Sequence, residues 1–272
     1  MKNIAKKIIV FLFVVAMMFV FVSCLGQEDN RGEQEVISIE GLEAYSIYLL
    51  AVEAFNNADS FSGTSTASVN MQMGIHSLEE KTTSTIALVF HSPTDLDMRY
   101  ERVPSIARVP MVLYYRSGII YWDTGGEGVG MRLSVEDALD LTDGISLLEF
   151  DETAIISQSV QETANEIELL FSLNPDVIDY VDSAIRMTLE DMGLDSNTDL
   201  ATIGVEIKVD DIKFVVILNA NGSIQSTEML MSVTLTESGA AMVMEHNRRN
   251  TFYQIGGVTI DFPSYLDNFT VH

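Results

Sequence analysis

Histidine, proline, tryptophan and cysteine are all scarce in this 272-residue chain, which has four His, five Pro, one Trp and a single cysteine, Cys24. A lone cysteine makes no internal disulfide and no C-x-x-C metal or redox pair. None of His76, His91, His246 and His272 has a second histidine at metal-ligand spacing. G-x-S-x-G, H-E-x-x-H and phosphate-binding glycine loops are missing as well. Catalysts need groups poised near working pH, and histidine is the usual one, so neither an enzyme nor a cofactor is expected. Carboxylates are too numerous for any acid–base pair to stand out. Basic residues are few, 15 Lys and Arg against 40 Asp and Glu, for a net charge of −25. Binding to nucleic acid requires basic clusters, and the nearest approach is the single pair Arg248-Arg249.

The one long apolar run is Ile8–Val22, preceded by Lys2, Lys6 and Lys7. It is shorter than the roughly 20 residues that a bilayer-spanning helix needs. A basic start, a short apolar stretch and then a small residue is the layout of a secretory signal peptide. Phe21-Val22-Ser23-Cys24 resembles the bacterial lipobox, with cleavage between Ser23 and Cys24, and departs from it in having Phe21 for the usual leucine. Lipidation gives the only cysteine of an exported chain a role. One acyl chain binds a membrane marginally, whereas a diacylglycerol with a further palmitate-type chain anchors durably. Residues 1–23 are thus read as a lipoprotein signal peptide and 24–37 as a flexible polar tether. The chain is expected on the extracytoplasmic face of the cell membrane, held there by lipid. Its acidity argues against lying flat on an anionic leaflet.

From 38 to 272 a single domain is expected. A helix should begin near Ser38, with Leu42, Tyr45, Leu49, Val52 and Phe55 as its apolar stripe. From Phe61 to Met73 the period becomes two, with every even position polar, which predicts a long strand with one wet face. Further strands are predicted at 82–90, 96–103, 111–115 and 119–123, with Arg116-Ser117-Gly118 as a hairpin turn. Ser134-Val135-Glu136-Asp137 reads as a capping box opening a helical insertion. Strands follow at 154–160 and 166–173. Asn174-Pro175-Asp176 then starts a helix carrying Ile178, Val181, Ile185, Leu189 and Met192. The remaining strands are 203–209, 212–218, 224–235, 240–255 and a short 258–262, with a turn at Asn221-Gly222. Consecutive strands with short connections imply antiparallel meanders and an α+β class.

Two groups of residues are candidates for binding. Met71 and Met73, Met229 and Met231, and Met242 and Met244 are each spaced by two, so each pair shares a strand face. Methionine is flexible and polarisable and recurs where varied apolar partners are accepted. With Val69, Leu88, Phe90 and Trp122 these six are candidate lining for an apolar cavity. Ordinary core filling is the competing explanation. The second group, Asp195, Asn197, Asp199 and Glu206, has partial EF-hand spacing. Leu200 stands where that loop needs glycine, and a polar helix-to-strand loop is the preferred reading. The aromatic hairpin Tyr114-Tyr115 and Tyr121-Trp122 is expected to serve packing.

A lipobox, a polar tether, an entry helix and a long Ser/Thr-alternating strand occur here in order. Ala58-Asp59-Ser60-Phe61-Ser62-Gly63 leads into that strand, Tyr114 to Trp122 forms the hairpin, and Val258-Thr259-Ile260-Asp261-Phe262-Pro263 closes the series. Over residues 38–266 this resembles the LolA-like superfamily, which includes lipoprotein carriers and mycobacterial glycolipid-carrier lipoproteins. Within it the similarity is to Gram-positive cell-surface lipoproteins. The resemblance implies a strongly curved antiparallel β-sheet, a half-open barrel, with helices covering its concave face. It implies a lipid or other apolar ligand in that cavity. An envelope interaction or sensing module with a filled core and a protein partner is the alternative. The family offers no fixed polar motif, so no functional residue is carried across.

Overall fold

Alternation from Phe61 to Met73 becomes β1 (Ser60–Met73) of a 12-stranded sheet. The structure is a computed structural model that describes residues 42–92, 94–104, 110–125, 127–142, 147–148, 150–177, 205–237 and 240–272. The other strands are β2 (His76–Ser92), β3 (Asp95–Pro104), β4 (Met111–Arg116), β5 (Ile119–Asp123), β6 (Gly128–Arg132), β7 (Ile155–Glu162), β8 (Glu166–Leu173), β9 (Val205–Asn219), β10 (Ile224–Glu237), β11 (Ala240–Ile255) and β12 (Thr270–Val271). Their order across the sheet is β12-β6-β5-β4-β3-β2-β1-β11-β10-β9-β8-β7. Two antiparallel meanders, β1 to β6 and β7 to β11, are therefore joined by pairing the first strand with the eleventh, from Phe61 opposite Ile255 to Gln72 opposite Val243. Among the described residues only β12 pairs in parallel, along β6. The result is a large, curved, open mixed sheet with few helices, consistent with the expected α+β half-open barrel. Among the described residues no helix is long and apolar enough to cross a membrane.

The register places one set of side chains on a common face through all the strands. It runs through Leu96 and Met98 of β3, Ile86 and Leu88 of β2, Val69 and Met71 of β1, Met244 of β11, Met231 and Val233 of β10, Ile212 and Phe214 of β9, and Phe171 and Leu173 of β8. All of these are buried in one apolar core. From Val205 onward the two predicted strands 203–209 and 212–218 prove to be one, β9, interrupted by a bulge. Val233 pairs with Val209 and Ser232 with Asp211, so Asp210 is the extra residue. That single insertion shifts the alternation by one and keeps Val209 and Ile212 on the same face, and so the sequence pattern breaks there. Asp210 accepts a 2.6 Å hydrogen bond from Thr234 Oγ1, which ties the bulge to its neighbour.

Helix α1 (Ala44–Asn56) lies on the apolar face, but the side that it buries differs from the expected stripe. Ala44, Ile47, Tyr48, Ala51 and Phe55 are buried, whereas Leu42 and Leu49 are exposed and Tyr45 and Val52 are half-buried. Two alanines on the buried side let the helix backbone approach the sheet, and two large aromatics then fill the space between. Tyr48 meets Phe171 and Phe214 edge-on at 5.9 and 5.6 Å, and Phe55 meets Phe61 and Phe252 at 5.0 and 4.9 Å. Glu43 makes no side-chain cap at the helix start. Gln158 of β7 replaces it, its Oε1 accepting from the Tyr45 backbone N–H at 2.8 Å.

Ser134 does cap α2 (Val135–Asp140), accepting from the Asp137 N–H. The Ser117-Gly118 turn is left-handed at both residues, at φ 51 and 76°, the twist that a two-residue hairpin needs. Residues 258–262, predicted as a short strand, do not form one. They lead into a 3₁₀ turn, Ser264–Asn268, that packs Phe262, Leu266 and Phe269 over Tyr114 and Tyr121 on the other face of β4 and β5. Apolar cover, and not ladder pairing, is what this terminal pattern encodes. The short strand β6, with two glycines in five residues, gave no alternation and went unpredicted. The predicted helix through Ile178–Met192 lies outside the described residues, apart from the opening turn Pro175–Val177.

Candidate functional site

Methionines from separate parts of the sequence converge. Met71 of β1 stands opposite Met244 of β11, and Met244 opposite Val233 of β10. Met231 faces His246, Met229 faces Arg248 and Met242 faces Leu235. Met71, Met229, Met231 and Met244 are buried, and Met242 packs partly buried beside them. Val69 and Leu88 are buried on the same face, with Phe90 and Trp122 partly buried at its margin. The side chain of Met73 lies outside the described residues. The aromatic hairpin divides. Tyr115 and Trp122 join this core, while Tyr114 and Tyr121 turn to the C-terminal cover.

Sequence reasoning missed a band of polar side chains across the middle of this apolar face. Register lines up Arg102 (β3), Ser84 (β2), Ser65 (β1), Asn250 (β11) and Thr227 (β10) in one row. Thr82 and Arg248 follow in the next row and His246 in the one after. Ser65, Ser84, Thr82, Thr227, His246, Arg248 and Asn250 are all buried. Part of the band is internally bonded. Ser84 Oγ and Tyr100 OH are 3.1 Å apart, and Asn250 Nδ2 donates to Thr227 Oγ1 at 3.3 Å. Asn250 Oδ1 and His246 Nδ1 are buried with no hydrogen-bond partner. Burial, followed by the Arg248 guanidinium, pushes the His246 imidazole down to about 4, so it is neutral at ordinary pH. The only trace in the sequence was the alternation of β11 itself, which places His246, Arg248 and Asn250 in phase with Met244 and Phe252.

The opposite face of the same strands is wet. A groove of about 480 Å³ runs over it, bordered by Ser68, Asn70, Glu79, Lys213, Ser232 and Glu245. Lys213 pairs there with Asp211 at 3.2 Å. Exposed ion pairs of this kind contribute little to stability.

Of the candidate calcium ligands, Asp195, Asn197 and Asp199 lie outside the described residues. Glu206 is exposed on β9, in a strand and not an exiting helix. No group of three or more His, Cys, Asp or Glu suited to a metal occurs among the described residues. Cys24 and Ser23 also lie outside the described residues.

No family model matches the sequence, and no curated protein matches it. Solved structures do resemble it. LprF from Mycobacterium bovis aligns over 81% of this chain and 96% of its own, with 12% identity and a TM-score of 0.40. A DUF1329 family protein from Desulfovibrio piger covers 79% of this chain and 93% of its own, with 9% identity and a TM-score of 0.24. The LolA superfamily protein NE2245 from Nitrosomonas europaea covers 82% and 96%, with 10% identity and a TM-score of 0.22. At these scores the likeness is one of general layout and transfers no residue.

Proposed function

We propose that this chain is an extracytoplasmic lipoprotein, anchored through lipid on Cys24, whose sheet binds a lipid or another apolar ligand without catalysing a reaction. One observation carries the ligand reading. Methionines from β1, β10 and β11 share one buried face with Val69, Leu88, Phe90 and Trp122. A methionine patch three strands wide repacks more readily than a Leu and Ile core, because each side chain turns about three unbranched bonds. A flexible apolar bed of this kind accepts an acyl chain without requiring a fixed empty cavity.

The test uses full-length protein purified from membranes in detergent, followed by organic extraction and mass spectrometry. A non-covalent lipophile should be recovered in proportion to protein. An extract that holds only detergent would overturn the reading. The alternative, a sensing or interaction module with a filled core, would then yield a protein partner on crosslinking in cells. The anchor is tested separately. Mass spectrometry of the wild-type N-terminal peptide should find a chain that begins at Cys24 and carries a diacylglycerol, and an unmodified Cys24 would remove it from its role.

A further inference from the structure

The apolar face would fold as a better core without its polar band. Burying a hydroxyl, amide or imidazole among Met, Leu and Phe is unfavourable unless each polar atom is hydrogen-bonded. Here His246 and Asn250 are 4% and 5% exposed, and each keeps one atom without a partner. The two sit on one strand, in phase, on either side of Arg248 in the row between them. Met229 and Met231 stand directly opposite Arg248 and His246. The unpartnered atoms therefore border the methionine patch. An apolar ligand lying on that patch would bring one of its ends against them.

We infer that the band formed by His246, Asn250 and their row neighbours Ser65, Ser84 and Thr227 is the subsite for a hydroxyl-bearing head on an acyl ligand. This rests on the apolar-ligand reading above and adds the chemistry of the other end. A hydroxyl is the group that fits, because it both donates and accepts. Asn250 Oδ1 requires a donor. The free nitrogen of a neutral imidazole accepts or donates according to its tautomer, and a hydroxyl serves either case. The same holds whichever way round the Asn250 amide is set. Ser65 and Ser84 lie beside Asn250 in the same row and offer further partners to a second hydroxyl, as in a glycerol head.

The probes are a monoacylglycerol and the methyl ester of the same fatty acid, which differ in the two hydroxyls and carry no charge. Full-length protein in detergent is stripped of lipid and incubated with an equal mixture. It is then separated from free lipid, and the retained pair is quantified by mass spectrometry. Wild type should enrich the monoacylglycerol at least about tenfold over protein-free micelles, a discrimination of about 1.4 kcal/mol. Asn250→Leu and His246→Leu should each lose most of that enrichment while still retaining the methyl ester. The thermal midpoint of His246→Leu, measured without lipid, should not fall, since it removes a buried polar atom that the fold leaves unpartnered, whereas Asn250→Leu also breaks the bond to Thr227 Oγ1 and should melt slightly lower.

If wild type retains both lipids without preference, the head subsite is overturned and the apolar reading survives. If both variants keep the preference, the hydroxyl is bound elsewhere and the inference fails. If both variants melt well below wild type with the preference intact, the band is structural, and the inference fails again. If wild type retains neither lipid, the apolar-ligand reading falls and takes the subsite with it.

Discussion

Lowering the pH should destabilise this fold through one histidine, and the size of the effect follows from the structure. His246 is neutral in the folded chain, its imidazole pushed from an ordinary value of 6.5 down to about 4 by burial and by Arg248. In the unfolded chain it regains the ordinary value. Between these limits the unfolded state binds the proton and the folded state does not, so stability is lost as pH falls through the interval. Above 6.5 the contribution is complete, and below about 4 no further loss comes from this group. At roughly 1.4 kcal/mol per pH unit, the interval corresponds to a loss of about 3 kcal/mol. Many carboxylates titrate near its lower end, so the informative quantity is a difference. Urea denaturation of wild type and His246→Leu at a series of pH values isolates the imidazole. The wild-type curve should fall about 3 kcal/mol further than the variant's across the window. Parallel curves would refute the assignment of a buried neutral imidazole at this position.

Other perturbations follow from packing. Phe171 is fully buried with its ring against Phe150 and Phe214 at 5.4 and 6.2 Å, so Phe171→Ala should cost about 3–5 kcal/mol in urea denaturation. Gly128→Ala would drive its new methyl into the Trp122 carbonyl oxygen, a backbone atom that cannot turn away. It should destabilise by about 1–3 kcal/mol, and an unchanged midpoint would contradict the β5–β6 register. Leu266 is completely buried beneath the C-terminal turn, and Leu266→Ala should cost about 2–5 kcal/mol. The variant should also make residues 258–272 more sensitive to limited proteolysis. Equal proteolysis would show that the other ties of the segment suffice, among them the Tyr265 OH bond to Asp123 Oδ2 at 2.6 Å and the pairing of β12 with β6.

Period-two alternation made the long strands legible, because it follows directly from which face is wet. The interval 166–173 reproduces β8, and 240–255 reproduces β11, residue for residue. Local chemistry served the Ser134 cap and the Ser117-Gly118 turn equally well, since both depend on neighbours in the chain. What the sequence hid was set by distant partners. The buried side of α1 was decided by the Phe171 and Phe214 rings that it meets, and Leu49 loses that competition to Tyr48. The β9 bulge at Asp210 resembled a gap between strands because insertion and interruption give the same break in phase. At the candidate site, spacing identified each methionine pair but could not show that β1 and β11 are adjacent. That adjacency assembles the patch. The polar band was invisible for the same reason, since Ser65, Asn250 and Thr227 form a row only after three strands have paired.

Joining the first strand to the eleventh also places the fold in time. A chain made from its amino end presents β1 long before β11. Until β11 arrives, the β1–β6 meander has an unpaired edge and an uncovered apolar surface, so neither half can close on itself. Contacts between such distant segments form slowly, because the entropy of closing the long loop must be overcome first. The seam between these strands thus acts as a late checkpoint. The methionine patch and its polar band come into being together, only once β11 has been made and paired.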